Sequence, residues 1–129
     1  MLIPPGFDTV TPYYMVDDAV SLVAFLIDGL NGVEVLRHMR PDGAIANAQV
    51  RLGDSTVMVS EASRDYPAMR ASCYLYVDDA DAAMLRATRA GAKQIMAVQD
   101  QPYGDRQGGV EDAHGNLWWL SQRLVAEPY

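Results

Sequence analysis

The 129 residues (14.2 kDa) suit one domain with a core that needs no disulfide or metal staple, and a half-hydrophobic, one-fifth-charged composition marks a globular chain. The net charge of -7 excludes a nucleic-acid binder, whose phosphate contacts need clustered Lys and Arg, and would draw a cationic ligand instead. A single cysteine, Cys73, excludes an internal disulfide, and without a spanning apolar run or a basic leader the expectation is a cytoplasmic protein with no membrane partner.

Pro4-Pro5-Gly6 cannot be helical, and alternation then predicts a strand over 9–16. Asp17 or Asp18 caps a helix predicted over 19–27, with Val20, Val23, Ala24 and Ile27 as its apolar stripe and Phe25 and Leu26 widening it. Asp28-Gly29 and Asn31-Gly32 end that helix. A strand over 32–39 follows and runs into the turn Arg40-Pro41-Asp42-Gly43. From Ile45 to Leu52 the alternation places Ala46, Ala48, Val50 and Leu52 in a row facing helices, with Ile45, Asn47, Gln49 and Arg51 on the other side. Gly53-Asp54 turns the chain into a strand over 56–60, and the charged segment 61–71, broken by Pro67, reads as a linker.

The same plan then returns: a strand over 72–77, a helix over 80–90, a strand over 92–97, a Gly-rich crossing, and strands near 107–112 and 116–122. Tyr13-Tyr14-Met15-Val16-Asp17-Asp18-Ala19 recurs as Tyr74-Leu75-Tyr76-Val77-Asp78-Asp79-Ala80, five of seven residues identical at an offset of 61. Two copies are too few for a solenoid, so duplication within one domain (1–129, repeats 9–62 and 72–123) is expected. The expected fold class is α+β: two tandem βαβββ units forming curved mixed sheets around a cleft, helices outside.

Val-Asp-Asp-Ala in both halves, Arg40-Pro41-Asp42-Gly43, Gly53-Asp54-Ser55, Tyr103-Gly104-Asp105-Arg106 with Gly108, and Asp112-Ala113-His114-Gly115-Asn116-Leu117-Trp118 together resemble the vicinal oxygen chelate superfamily of glyoxalase I, extradiol dioxygenases and bleomycin-resistance proteins. The resemblance runs from about Thr11 to Arg123 and implies half-barrels paired around a ligand, often in a homodimer. It also implies, for the metalloenzymes, His or Glu at inward positions on the first and last strands of each unit. Those positions fall here on Thr11, Val59 or Ser60, Ser72 and Trp119, and amides Asn47 and Gln49 stand where a His and an acidic residue often occur. None supplies imidazole, thiolate or carboxylate, so no metal or other cofactor is expected.

Other chemistry is sparse. His38 and His114 read as surface or turn residues, and Asp17/Asp18 and Asp78/Asp79 read as helix caps rather than catalytic pairs. Cys73 alternates out of phase with Ser72, Tyr74 and Tyr76 and should pack under a helix. Glycines 104, 108, 109 and 115 mark turns and a close strand crossing, since neither a phosphate-loop Lys nor a helix follows them.

On the inward face, Tyr13, Tyr74, Tyr76 and Trp119 share the phase of the substituted ligand positions. With Asn47, Gln49, Ser60 and Ser72 they make the expected ligand-binding set, while Trp118 points oppositely into the core. The function expected is a metal-free small-molecule binding protein, sequestering an aromatic or cationic drug or natural product as bleomycin-resistance proteins do. The alternatives are a glyoxalase- or dioxygenase-like enzyme with a non-standard metal site, and a non-catalytic domain whose rings fill the half-barrels.

Overall fold

A computed structural model describes residues 1–129, which divide into two compact units, Met1–Arg70 and Ala71–Tyr129. The first contains β1 (Tyr13–Val16), α1 (Ala19–Asp28), β2 (Val33–Met39), β3 (Ile45–Leu52) and β4 (Ser55–Glu61). The second contains β5 (Ser72–Tyr76), α2 (Ala80–Arg89), β6 (Lys93–Asp100), β7 (Asp105–Glu111) and β8 (Leu117–Arg123). Both are βαβββ, as expected. The sheets share one topology, β1-β4-β3-β2 and β5-β8-β7-β6, with the first strand of each parallel to the last and the other pairs antiparallel.

Each unit buries one face of its sheet under its helix. In the first, Tyr14, Val16, Ala48, Val50, Val57 and Val59 meet Leu22, Val23 and Leu26 of α1, all nearly inaccessible. Burying such a side chain contributes about 1.5–3 kcal/mol, so this layer dominates the unit's stability. The buried stripe of α1 is Ala19, Leu22, Val23, Phe25 and Leu26, about one position away from the expected one: Val20 and Ala24 are exposed. Apolar residues lie all around this helix, so sequence periodicity left its rotation open.

A second correction concerns β3. Ile45 is fully buried and Ala46 only half-buried, the reverse of plain alternation. His38 pairs with Asn47 but Met39 pairs with Ile45, so Ala46 is an extra residue, and such a bulge resets the side-chain phase.

The helix starts are tied down twice. Asp18 accepts from the Ser21 N–H (3.3 Å) and Asp79 from the Ala82 N–H (3.0 Å), the capping role expected of these acids. Glu61, at the end of β4, accepts from the N–H groups of Asp18 and Ala19 (2.9 and 2.8 Å), and Gln122 on β8 accepts from the Ala80 N–H (3.0 Å). These two residues are repeat partners, 61 positions apart. Each holds the helix of its unit onto the last strand.

In the second unit the core is Trp118, Leu120, Val110, Met84 and Ala87. Trp118 donates its indole N–H to Asp112 (2.9 Å), a buried carboxylate that also accepts from Asn116 and from the backbone of His114. Cys73 lies in the phase of Trp118, its cross-strand partner, but on edge strand β5 it is half-buried rather than buried.

Candidate functional site

The other face of each sheet has no helix on it. Cross-strand pairing puts Tyr13, Met58, Gln49 and Leu36 in one row across the first uncovered face. Tyr74, Trp119, Gly109 and Met96 form the corresponding row in the second unit. The rows occupy the same place in the shared topology, so Met58 is the first unit's counterpart of Trp119. The expectation of Val59 or Ser60 at that position is corrected: Val59 is fully buried against α1, and Ser60 corresponds to Ser121.

In the second unit the row becomes an aromatic wall. The Trp119 N–H donates to Ser72 Oγ on β5 (2.9 Å), while the opposite edge of the indole lies against Gly109 on β7. The ring therefore lies across three strands. It does so because Gly109 has no side chain: a Cβ there would be 2.7 Å from Trp119 Cζ3. Gly108 makes the same close approach on the helix side, toward Val98 and Met84. Both glycines lie inside β7 rather than in a turn. The Tyr74 and Tyr76 rings stand beside this wall, centroids 5.2 Å apart and tilted by 53°, 44% and 58% exposed.

Beneath the rings lies a polar network that the sequence did not single out. Asp105 is fully buried and accepts from Ser121 Oγ (2.7 Å), Tyr129 Oη (2.6 Å), Arg123 Nη1 (2.8 Å) and the Tyr74 hydroxyl. Burial alone would raise its carboxyl, but the hydrogen bonds from Tyr129, Tyr74, Arg123 and Ser121 outweigh burial and hold it well below the usual carboxylate range. Tyr76 and Tyr129 share a hydroxyl–hydroxyl bond of 2.8 Å, and the Arg123 guanidinium carbon sits 4.2 Å from the centre of the Tyr129 ring. Two residues along β7, Gln107 is buried and its Oε1 accepts from the Tyr103 hydroxyl. Its Nε2 is also buried and has no acceptor within the protein.

The expected site residues thus fall into two groups, one per unit. Ser72, Tyr74, Tyr76 and Trp119 share the uncovered face of the second unit, joined by Asp105, Gln107, Ser121 and Arg123 in the same strand phase. Tyr13, Asn47, Gln49 and Ser60 share that of the first. There Gln49 Nε2 donates to Asn47 Oδ1 (3.1 Å), and buried Ser60 Oγ accepts from Arg40 (3.2 Å). Tyr13 is 42% exposed. Thr11 precedes β1 and donates to the Asp8 carbonyl (3.2 Å).

A divalent metal does not fit these residues. Thr11, Met58, Ser72 and Trp119 offer no imidazole or carboxylate, and nowhere do three His, Cys, Asp or Glu side chains converge. Asp105, the one carboxylate buried under the aromatic face, already carries four donors. His38 is exposed on β2, and His114 stands in the turn before β8, its Nδ1 4.0 Å from Asp112.

Residues 6–120 match the family model of the Glyoxalase/Bleomycin resistance protein/Dioxygenase superfamily. An uncharacterized protein of Mycobacterium bovis, Mb0911c, is 35% identical, the match covering 87% of this chain and 81% of that protein. Among solved structures, TioX from Micromonospora sp. ML1 aligns with a TM-score of 0.73 at 29% identity, over 90% of this chain and 96% of its own. TnmS3, an antibiotic binding protein from Streptomyces sp. CB03234, aligns with a TM-score of 0.73 at 21% identity, over 95% and 98%. No helix is long and apolar enough to cross a membrane.

Proposed function

Because the chain belongs to the glyoxalase/bleomycin resistance protein/dioxygenase superfamily, we propose that it is a metal-free binding protein that sequesters a small aromatic drug or natural product. One observation carries this: the buried Gln107 Nε2, without an acceptor, lies on the face walled by Tyr74, Tyr76 and Trp119. An orphaned buried donor costs about 1–3 kcal/mol, which a ligand oxygen placed there would recover. The rings supply flat surface for stacking, and the amide supplies direction. An aromatic guest suits the face better than a cation, because Arg123 already balances the Asp105 carboxylate. TnmS3, which shares this fold, is an antibiotic binding protein, and a planar aromatic compound carrying an oxygen acceptor for Gln107 Nε2 is the ligand class we favour.

Titration with planar aromatic ketones and quinones, read by tryptophan fluorescence, tests the proposal. We expect saturable quenching that Trp119→Ala abolishes. Metal analysis of untagged protein tests its other half. One zinc, nickel or iron per chain, lost on replacing Asn47, Gln49 or His38, would favour an enzyme instead. We also propose one cooperative domain over 1–129, assembled as a symmetric homodimer. A single unfolding transition and a dimer-sized hydrodynamic mass are the expected results, and a concentration-independent monomer would remove the dimer.

A further inference from the structure

The Tyr129 hydroxyl does not meet bulk water alone; it docks on a fully buried carboxylate. Asp105 and Ser121 are both inaccessible, Tyr76 Oη lies 2.8 Å from Tyr129 Oη, and a guanidinium covers the ring at 4.2 Å. An acidic acceptor for an O–H, with a cation over the attached ring, is the recognition chemistry of a neutral phenol. We propose, building on the small-molecule-binding reading, that Asp105, Ser121, Tyr76 and Arg123 form a subsite for the hydroxyl-bearing ring of a phenolic ligand, and that Tyr129 occupies it until such a ligand displaces it.

Two features separate Tyr129 from a permanent part of the wall. Tyr74 and Tyr76 are fixed by β5, whereas residues 124–129 belong to no helix or strand and are exposed throughout, Tyr129 itself by 70%. The segment is tied by the Leu124 N–H to the Gly104 carbonyl and by Arg123 to the Glu127 carbonyl. In addition, Asp105 does not depend on Tyr129. Tyr74, Ser121 and Arg123 still satisfy the carboxylate when the phenol leaves, so opening the subsite strands no buried charge. The hydrogen bonds to Asp105 and then Tyr76 also hold the Tyr129 phenol protonated far above the ordinary tyrosine range, which matches a site for the neutral phenol.

An occupant that is docked most of the time lowers apparent affinity by the fraction of open protein. The test is NMR titration of the full chain and of Tyr129→Ala with 2-naphthol and with its methyl ether, which keeps the rings and lacks the donor. The variant should bind 2-naphthol about tenfold more tightly than the native protein, and the ether should gain less than about twofold. In the native protein, saturating 2-naphthol should move the Tyr129 ring signals away from the shifts that Arg123 and Tyr76 impose and to those of a tyrosine in an unstructured peptide. Equal 2-naphthol affinity in both proteins, or an equal gain for the ether, overturns the subsite. If the native protein binds the ether and quenches Trp119 while Tyr129→Ala changes nothing, the subsite fails and the binding function stands. No binding of either probe by either protein overturns both.

Discussion

Gly109 and Trp119 face each other across β7 and β8 so closely that a methyl group on the glycine would stand 2.7 Å from the indole edge. Gly109→Ala must push the ring off the sheet or part the strands, and overpacking of this kind costs about 1–3 kcal/mol. Urea denaturation should show that loss, and the tryptophan quenching by aromatic ligands should weaken with it. Unchanged quenching would mean that the flat indole is not the stacking surface.

The two adjacent tryptophans should respond oppositely. Trp118 is 1% exposed and bonded to buried Asp112, so Trp118→Ala should cost roughly 3–5 kcal/mol of stability by chemical denaturation. Trp119 lies half-buried on the uncovered face, and Trp119→Ala should instead cost binding about 1–3 kcal/mol, with a smaller change in folding. The reverse pattern would contradict the strand phase.

Glu61 and Gln122 offer a test of the repeat. Removing the carboxylate in Glu61→Ala frees two backbone donors at the start of α1 and should lower the denaturation midpoint by the equivalent of about 1–2 kcal/mol. Glu61→Gln should cost about half as much, since Gln122 caps α2 through one amide oxygen. Equal losses would show that charge, not the hydrogen bond, holds this helix end.

Acid should dissolve the contribution of Asp105. Its folded carboxyl titrates below the ordinary value of 3.8, so its stabilisation is complete above that pH and is lost as pH falls toward the folded value. Asp105→Asn should therefore be less stable than the native protein at neutral pH, and the gap in thermal midpoint should narrow as pH drops below about 4. A gap that stays constant into acid would place the loss in packing instead.

The features legible in sequence were the local and the repeated ones. Val-Asp-Asp-Ala marked both strand–helix junctions, and alternation alone separated Trp118 from Trp119. Ile45 departs from plain alternation because the bulge at Ala46 exists only in the pairing with β2. Asp105 falls outside the strand expected near 107–112, in the Gly-rich crossing, and its partners Arg123 and Tyr129 come from the end of β8 and beyond. A signal was present: Asp105 continues the alternation of Gln107 and Gly109. Tyr129 has no repeat partner and no strand phase, so only three-dimensional structure could bring it to Asp105. The Glu61 and Gln122 pair stood in the sequence at the repeat offset, hidden by the difference between acid and amide.

The two rows across the uncovered faces, with Met58 beside Gln49 in one and Trp119 beside Gly109 in the other, also constrain how such faces diverge. Besides Leu36 standing where the second row has Met96, converting the first into the second takes two replacements at its centre, Gln49→Gly and Met58→Trp. Their order is not free. An indole arriving at 58 while a side chain remains at 49 meets the clash that Gly109 avoids, whereas a glycine arriving first only loosens the strand. From the first arrangement, the path to an aromatic wall runs through a weakened sheet, and the stability to tolerate that step must reside in the layer under the helix.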